Sequence, residues 1–305
     1  MDMHMHTSIS DGTDSPAELL SNVVKAGLDL FSVTDHDAIE ACDAIGEIIA
    51  GYRSGSAAVS DDITSGENSA AGADPDSLPL FIPGVEFSCR DKDGKYHILG
   101  YNYRSDAKEI RNLTRWGHAI RQRKLSGRLA YLRDEYDFVF SKDDIKALKK
   151  LSNPGKPHIA ILMVKYGYVK TKEEAIRNYL NKLKLKYPSL RPETAIERIL
   201  ESGGIPVLAH PSYGSGDQII MGEEMEARLK KLIGYGLMGI EAYYSGFTPK
   251  LTGELLGFAD RFDLCVTAGS DYHGVNKMIE PGEHNLPPAD EWGDGVKKFL
   301  ELIGV

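Results

Sequence analysis

Cysteine and tryptophan are scarce in this 305-residue chain, with three of the first and two of the second, and no apolar run is long enough to suggest a membrane span. Cys42, Cys89 and Cys265 are odd in number, far apart and without metal-binding spacing, which excludes a disulfide framework and a cysteine-held zinc site. They suit buried thiols in a reducing compartment. Residues Met1 to Ser10 show no basic segment followed by an apolar stretch, so no secretory signal is visible and a cytoplasmic location is expected. Positive charge is in deficit: 36 Lys and Arg against 45 Asp and Glu give a formal charge of −9. That balance argues against duplex nucleic acid as a partner, while leaving room for a nucleotide or short strand held locally. No internal repeat is visible, and the oligomeric state is not legible.

What is present is an alternation of short apolar strands and amphipathic helices. Met1 to Thr7 suits a strand; Ser15 and Glu18 stand at capping-box spacing around Pro16 and open a helix that Gly27 ends. Leu28 to Thr34 reads as a buried strand, with a helix from Asp37 to about Ile49. The Gly, Ser, Ala and Asp-rich stretch 51–79 reads as a surface loop. Strands are expected at Leu80 to Ile82, Gly84 to Phe87 and Tyr96 to Gly100. Between 105 and 202 the texture is helical and basic, a separate subdomain with helix starts at Ser141, Pro157 and Thr171. Alternation resumes with strands at Ile205 to Ala209, Gly239 to Tyr243 and Leu264 to Ala268, and helices at Glu223 to Leu232, Pro249 to Phe262 and Asp294 to Ile303. This pattern predicts an α/β fold: a parallel sheet covered by helices, with strands enough to close a barrel.

The nine histidines carry the chemistry. His4 and His6, two apart on a strand, point to one face. Asp11, His36, Glu86, His97, His210, Asp271 and His273 all fall at or just beyond strand ends, where barrel active sites gather. Imidazoles and carboxylates without thiolate favour zinc, manganese or iron, and so many ligands exceed one tetrahedral site, so two or three divalent ions are expected, with a carboxylate such as Glu86 bridging a pair.

These residues resemble the polymerase and histidinol phosphatase (PHP) superfamily of metal-dependent phosphoesterases. The matching motifs are His4-Met5-His6 with Asp11, Thr34-Asp35-His36-Asp37, Pro83-Gly84-Val85-Glu86, Leu208-Ala209-His210-Pro211 and Gly269-Ser270-Asp271-Tyr272-His273. The resemblance implies a distorted (β/α)7 barrel built from 1–104 and 203–305, an inserted helical cap at 105–202, and a trinuclear metal site. One ion would take His4, His6, Glu86 and Asp271, a second Glu86, His97 and His210, and a third Asp11, His36 and His273. The likeness is to members with a helical insertion, nucleotide phosphatases and a 5′-to-3′ exoribonuclease branch among them, which usually carry Arg where this chain has Lys156.

His158 falls at a helix N-terminus that favours an anion, and with Lys156, Arg121 and Arg123 it forms the expected phosphate-binding set. His158, Arg121 and His210 are the expected catalytic side chains. His118 and His284 match no motif and are expected at the surface. The resulting expectation is hydrolysis of a phosphomonoester of a nucleoside monophosphate or 3′,5′-bisphosphate by a metal-bridging hydroxide. Stepwise 5′-to-3′ hydrolysis of short RNA is the alternative, with Tyr101, Tyr103 and Trp116 as stacking platforms. Histidinol phosphate, an amide substrate and a non-catalytic metal-binding module are further alternatives.

Overall fold

The computed structural model describes residues 1–54, 78–151, 154–183, 188–214 and 218–305. Six strands, β1 (Leu30–Val33), β2 (Leu80–Arg90), β3 (Lys95–Tyr101), β4 (Ile205–Leu208), β5 (Gly239–Tyr244) and β6 (Cys265–Gly269), form one sheet in sequence order. β1 and β2, β4 and β5, and β5 and β6 pair in parallel, each pair joined by a helix. Those helices are α2 (Glu40–Arg53), α8 (Gly222–Ile233) and α9 (Pro249–Phe262).

The sheet is not wholly parallel as the alternation suggested. β2 and β3 are joined by the tight turn at Asp91 to Gly94, which leaves no room for a crossover, so they pair antiparallel; β3 also runs antiparallel to β4. The two short strands expected around Pro83 are one strand, β2. Pro83 is the last residue paired with β1 and Gly84 the first paired with β3. A residue without an N–H is tolerated where the strand changes partners.

The segment Met1 to His6 is not a full strand, yet it is hydrogen-bonded to both edges of the sheet. Asp2 and Met5 exchange backbone bonds with Leu30, Ser32 and Thr34, while Met3, His4 and His6 do so with Ala268, Asp271 and Tyr272. The sheet curls accordingly, and one core cluster gathers Met3, Leu30, Ile82, Leu99, Val207 and Cys265 around Phe299 of α10 (Asp294–Ile303). The first helix, α1 (Pro16–Lys25), begins with the expected Ser15 and Glu18 capping box.

Between β3 and β4 lie α3 (Lys108–Tyr136), α4 (Lys142–Lys150), α5 (Lys156–Lys165), α6 (Lys172–Ala175) and α7 (Pro192–Glu201). Leu125, Leu132, Phe140, Leu148, Ile159 and Met163 form a core of their own there. Ile110 and Leu113 at the start of α3 and Ile196 and Ile199 of α7 belong instead to the core of the sheet, so both helices root the insertion. The three cysteines are free and buried. Residues 51–53 of the expected loop are the end of α2, and 55–77 lie outside the described residues. Among the described residues, no helix is long and apolar enough to cross a membrane.

Candidate active site

The N-terminal segment, β1, β4 and β6 run in the same direction and bring His4, His6, His36, His210 and Asp271 to one rim. β3 runs the other way, so His97, near its start, reaches the same rim. Glu86 lies inside β2 rather than after a strand end, bridged to His36.

Glu86 is the hub. Its Oε1 lies 2.6 Å from His97 Nδ1 and 3.2 Å from His210 Nε2, and its Oε2 lies 2.9 Å from His36 Nδ1, 3.3 Å from His6 Nε2 and 3.4 Å from His4 Nε2. Despite these neighbours, the buried Oε2 accepts no hydrogen bond. A buried carboxylate oxygen within 3.4 Å of three imidazole nitrogens is the arrangement expected when lone pairs converge on a cation. Asp271 Oδ1 lies 3.2 Å from His6 Nε2 and 3.5 Å from His4 Nε2, and Asp11 Oδ1 lies 3.2 Å from His273 Nε2. The candidate ligand atoms fall into three groups, His4, His6 and Asp271; His36, Glu86 and His97; and His6, Asp11, His36 and His273, while His210, expected as a ligand, stands beside the second through Glu86 and belongs to none of them. The donor set therefore fits divalent ions.

Burial opposes charge on the three carboxyls, and the neighbours decide the outcome. Glu86, Asp11 and Asp271 are desolvated, yet the surrounding imidazoles hold each carboxyl well below the usual range. Backbone strain gathers here too. His210, Asp271 and Asp37 have φ values of 27°, 57° and 53°, in the region that L-residues seldom adopt.

Several contributing residues escaped the sequence reading. Glu241 of β5, fully buried, places Oε1 2.9 Å from His4 Nδ1 and accepts the His210 backbone N–H at Oε2, 2.7 Å away. Tyr244 donates to Asp271 Oδ2 at 2.8 Å, and Lys277 also pairs with that oxygen, which leaves Oδ1 to face His4 and His6. Asp35, present in the Thr34 to Asp37 motif without a role of its own, accepts from Thr7 N–H and from the Thr7 and Ser10 hydroxyls, tying down the turn that carries Asp11.

Above the rim opens a cleft of about 280 Å³. One wall carries Asp11, His36 and His97; the other carries Arg121, Lys124, Arg128 and Lys156. Arg121, Lys124 and Arg128 recur at helical spacing on one face of α3. Arg121 Nε bonds Asp37 Oδ2 at 2.5 Å and its Nη2 donates to Ser88 Oγ at 2.9 Å, so the guanidinium is held in place. Among the described residues, Lys124 and Arg128 have no ion-pair partner; burial and repulsion by Arg121 lower both, Arg128 to about 10. Lys156 is lowered to about 8 by burial and by Arg128, Lys95 and Lys124. Four cations line the cleft against two carboxylates, Asp11 and Asp37, an excess of positive charge that calls for an anion. At the start of α5 the Gly155 N–H donates to His158 Nδ1 at 3.0 Å, so in the neutral ring the proton sits on Nε2. Burial keeps that ring below its ordinary pKa.

Not every expected residue joins the cleft. Arg123 is exposed and off the face that carries Arg121. Tyr101 and Tyr103 are buried and donate to Met3 O and Gly84 O, so core packing and backbone bonding withdraw them from stacking. Trp116 is 40% exposed. His284, expected at the surface, is half-buried, its Nε2 2.7 Å from Met1 O. His118 is half-buried as well and contributes to neither wall of the cleft.

No family model matches the chain. It is 28% identical over 299 residues to a 5′-3′ exoribonuclease, Rnm, of Salmonella typhimurium, covering 94% of this chain and 90% of that one. It is 26% identical over 306 residues to a 3′,5′-nucleoside bisphosphate phosphatase of Chromobacterium violaceum, covering 94% and 93%. A solved structure from Bifidobacterium adolescentis, assigned as a metal-dependent phosphoesterase, superposes with a TM-score of 0.75 at 28% identity, covering 99% of this chain and 95% of that one. The ordered motifs resemble those of the PHP superfamily, and the chain is similar over nearly its whole length to these phosphate-ester hydrolases.

Proposed function

We propose that the chain is a hydrolase of a small nucleotide's phosphomonoester, in a nucleoside monophosphate or 3′,5′-bisphosphate. The observation that carries this reading is the cleft whose one wall is built of metal-ligand types and whose other wall is cationic. Two to three divalent ions, zinc, manganese or iron, would be held by His4, His6, Asp11, His36, Glu86, His97, Asp271 and His273, with His210 joining through its contact to Glu86. When bound, such ions supply a nucleophile at neutral pH and offset the charge of the phosphoryl oxygens.

The chain's own residues do the rest. Glu86 and Asp271, held ionised, keep the imidazole cluster assembled, and Glu241 fixes His4 with its Nε2 lone pair turned inward. Arg121, anchored by Asp37 and Ser88, presents its remaining N–H groups to the phosphate, with Lys124, Arg128 and Lys156 balancing its charge. His158 Nε2–H is the donor to the phosphate or to the departing alkoxide. Most of the rate gain in such a site comes from positioning and charge neutralisation.

In this reading the N-terminal segment is the seventh strand of a distorted (β/α)7 barrel, and 105–202 is a cap that completes the cleft. Removal of nucleotides one at a time from the 5′ end of short RNA is the second reading, favoured by the exposed Trp116 and by the exoribonuclease relative. A phosphate-release screen over nucleoside monophosphates, 3′,5′-bisphosphates, histidinol phosphate and 5′-phosphorylated RNA tests the proposal. Mononucleotides and bisphosphates are expected to react first, and release confined to another class overturns it.

A further inference from the structure

Beside the cleft lies a second concavity of about 590 Å³ whose lining includes Asn112, Trp116, Leu190, Arg191 and Arg198. Leu190 also lines the cleft, so one side chain separates the two spaces. Its position is fixed, because its carbonyl accepts the Arg90 N–H at 2.7 Å and it pairs with Cys89 beyond the end of the β2–β1 ladder. The spaces also share a helix. Asn112, Leu113 and Trp116 of α3 face the groove, and Gly117, Ile120 and Arg121 face the cleft. Trp116 and Arg121 are five residues apart, about 7.5 Å along the helix axis.

We infer that this groove is a nucleobase subsite: a nucleotide whose phosphate lies in the cleft places its base on the Trp116 indole. The inference rests on the phosphoesterase reading of the cleft and narrows its substrates to phosphates that carry a base. Three features favour a base over an apolar occupant. The indole is 40% exposed and is the one tryptophan of the two that borders the cleft region. An exposed aromatic face beside a cationic cleft is the arrangement by which bases stack irrespective of sequence. Around it stand Asn112, Arg191 and Arg198, whose amide and guanidinium groups suit the polar edges of a base and not a hydrocarbon. Among the described residues Arg191 pairs only with Glu193, at 3.3 Å and largely exposed to solvent, a contact weak enough to yield to a ligand. The cleft itself, at about 280 Å³, is small for a complete nucleotide, and the groove supplies the remaining space.

The test compares phosphate release from adenosine 5′-monophosphate and from ribose 5-phosphate, with and without Trp116→Ala, in the metal-loaded protein. The wild type should favour the nucleotide, and Trp116→Ala should lower kcat/KM for it about tenfold, the scale of one base–aromatic stack, while ribose 5-phosphate is unaffected. Equal loss on both substrates, or no loss on either, overturns the subsite and leaves the phosphoesterase reading standing. If the wild type releases phosphate from neither, the phosphoesterase reading fails, and a binding measurement decides the subsite. In Trp292→Phe, whose remaining indole is Trp116, adenosine 5′-monophosphate should quench the emission; unchanged emission at saturating nucleotide overturns the inference.

Discussion

Glu241 Oε1 lies 2.9 Å from His4 Nδ1, and both side chains are fully buried. That contact fixes which His4 nitrogen carries the proton: Nδ1–H donates to the carboxylate, and Nε2 turns its lone pair toward His6, Glu86 and Asp271. The other carboxylate oxygen holds the backbone N–H of His210, whose φ of 27° the turn must sustain. One glutamate thus sets two candidate ligands whose rings stack 5.8 Å apart.

Glu241→Gln is expected to weaken metal binding about 10- to 100-fold, the usual effect of losing a ligand's supporting carboxylate. Metal affinity measured by competition with a chelator checks this, with circular dichroism to verify that the fold persists. Unchanged affinity would show that packing alone orients His4.

Arg121 is held by Asp37 and Ser88 rather than swinging free. Arg121→Lys keeps the charge and loses the fork, so kcat/KM for the nucleotide should fall about 10- to 100-fold, as for loss of a charge-assisted hydrogen bond. Asp37→Asn should reproduce part of that loss by freeing the guanidinium. An Asp37→Asn variant with wild-type kinetics would separate the ion pair from phosphate binding.

Lys156 gives a pH signature. Its amine is lowered from 10.5 to about 8 in the fold, so between those values the unfolded chain binds more protons than the folded one. The half-buried cation therefore costs stability in full below about pH 8, and that cost is relieved as pH rises toward 10.5. Phosphate affinity runs the other way, because the cation is what attracts the anion: inhibition by inorganic phosphate should weaken as pH rises through about 8. Lys156→Arg, which stays charged, should remove that weakening. An identical pH profile in the two proteins would take Lys156 out of the anion site.

The sequence was most legible where chemistry is local. Pro249–Phe262 and Asp294–Ile303 begin and end where their caps and periodicity indicate, and the turns at Ser15, Ser141 and Thr171 hold the expected side-chain bonds. The residues that converge on the rim were legible as well, because polar residues that interrupt or end short buried strands have few structural uses. What failed was what tertiary pairing decides. Pro83 looked like a break between strands, and only the change of partner from β1 to β3 lets one strand pass through it. Tyr101 and Tyr103 looked like available rings until the curled sheet buried them. Lys124 and Arg128 follow Arg121 at helical spacing, but which face of α3 turns to the rim depends on how the insertion is rooted through Ile110 and Ile196. Glu241, a lone carboxylate in an apolar strand, was a signal without a visible partner, since His4 is 237 residues away.

The central claim is that a metal cluster organised by Glu86 performs phosphate-ester hydrolysis in this cleft. Its most direct test is phosphate release from adenosine 3′,5′-bisphosphate by the wild type and Glu86→Ala, with bound metal determined on the same samples. The account predicts two to three ions per chain and steady release in the wild type, and in Glu86→Ala depleted metal with turnover lost. Undiminished turnover by Glu86→Ala would contradict it.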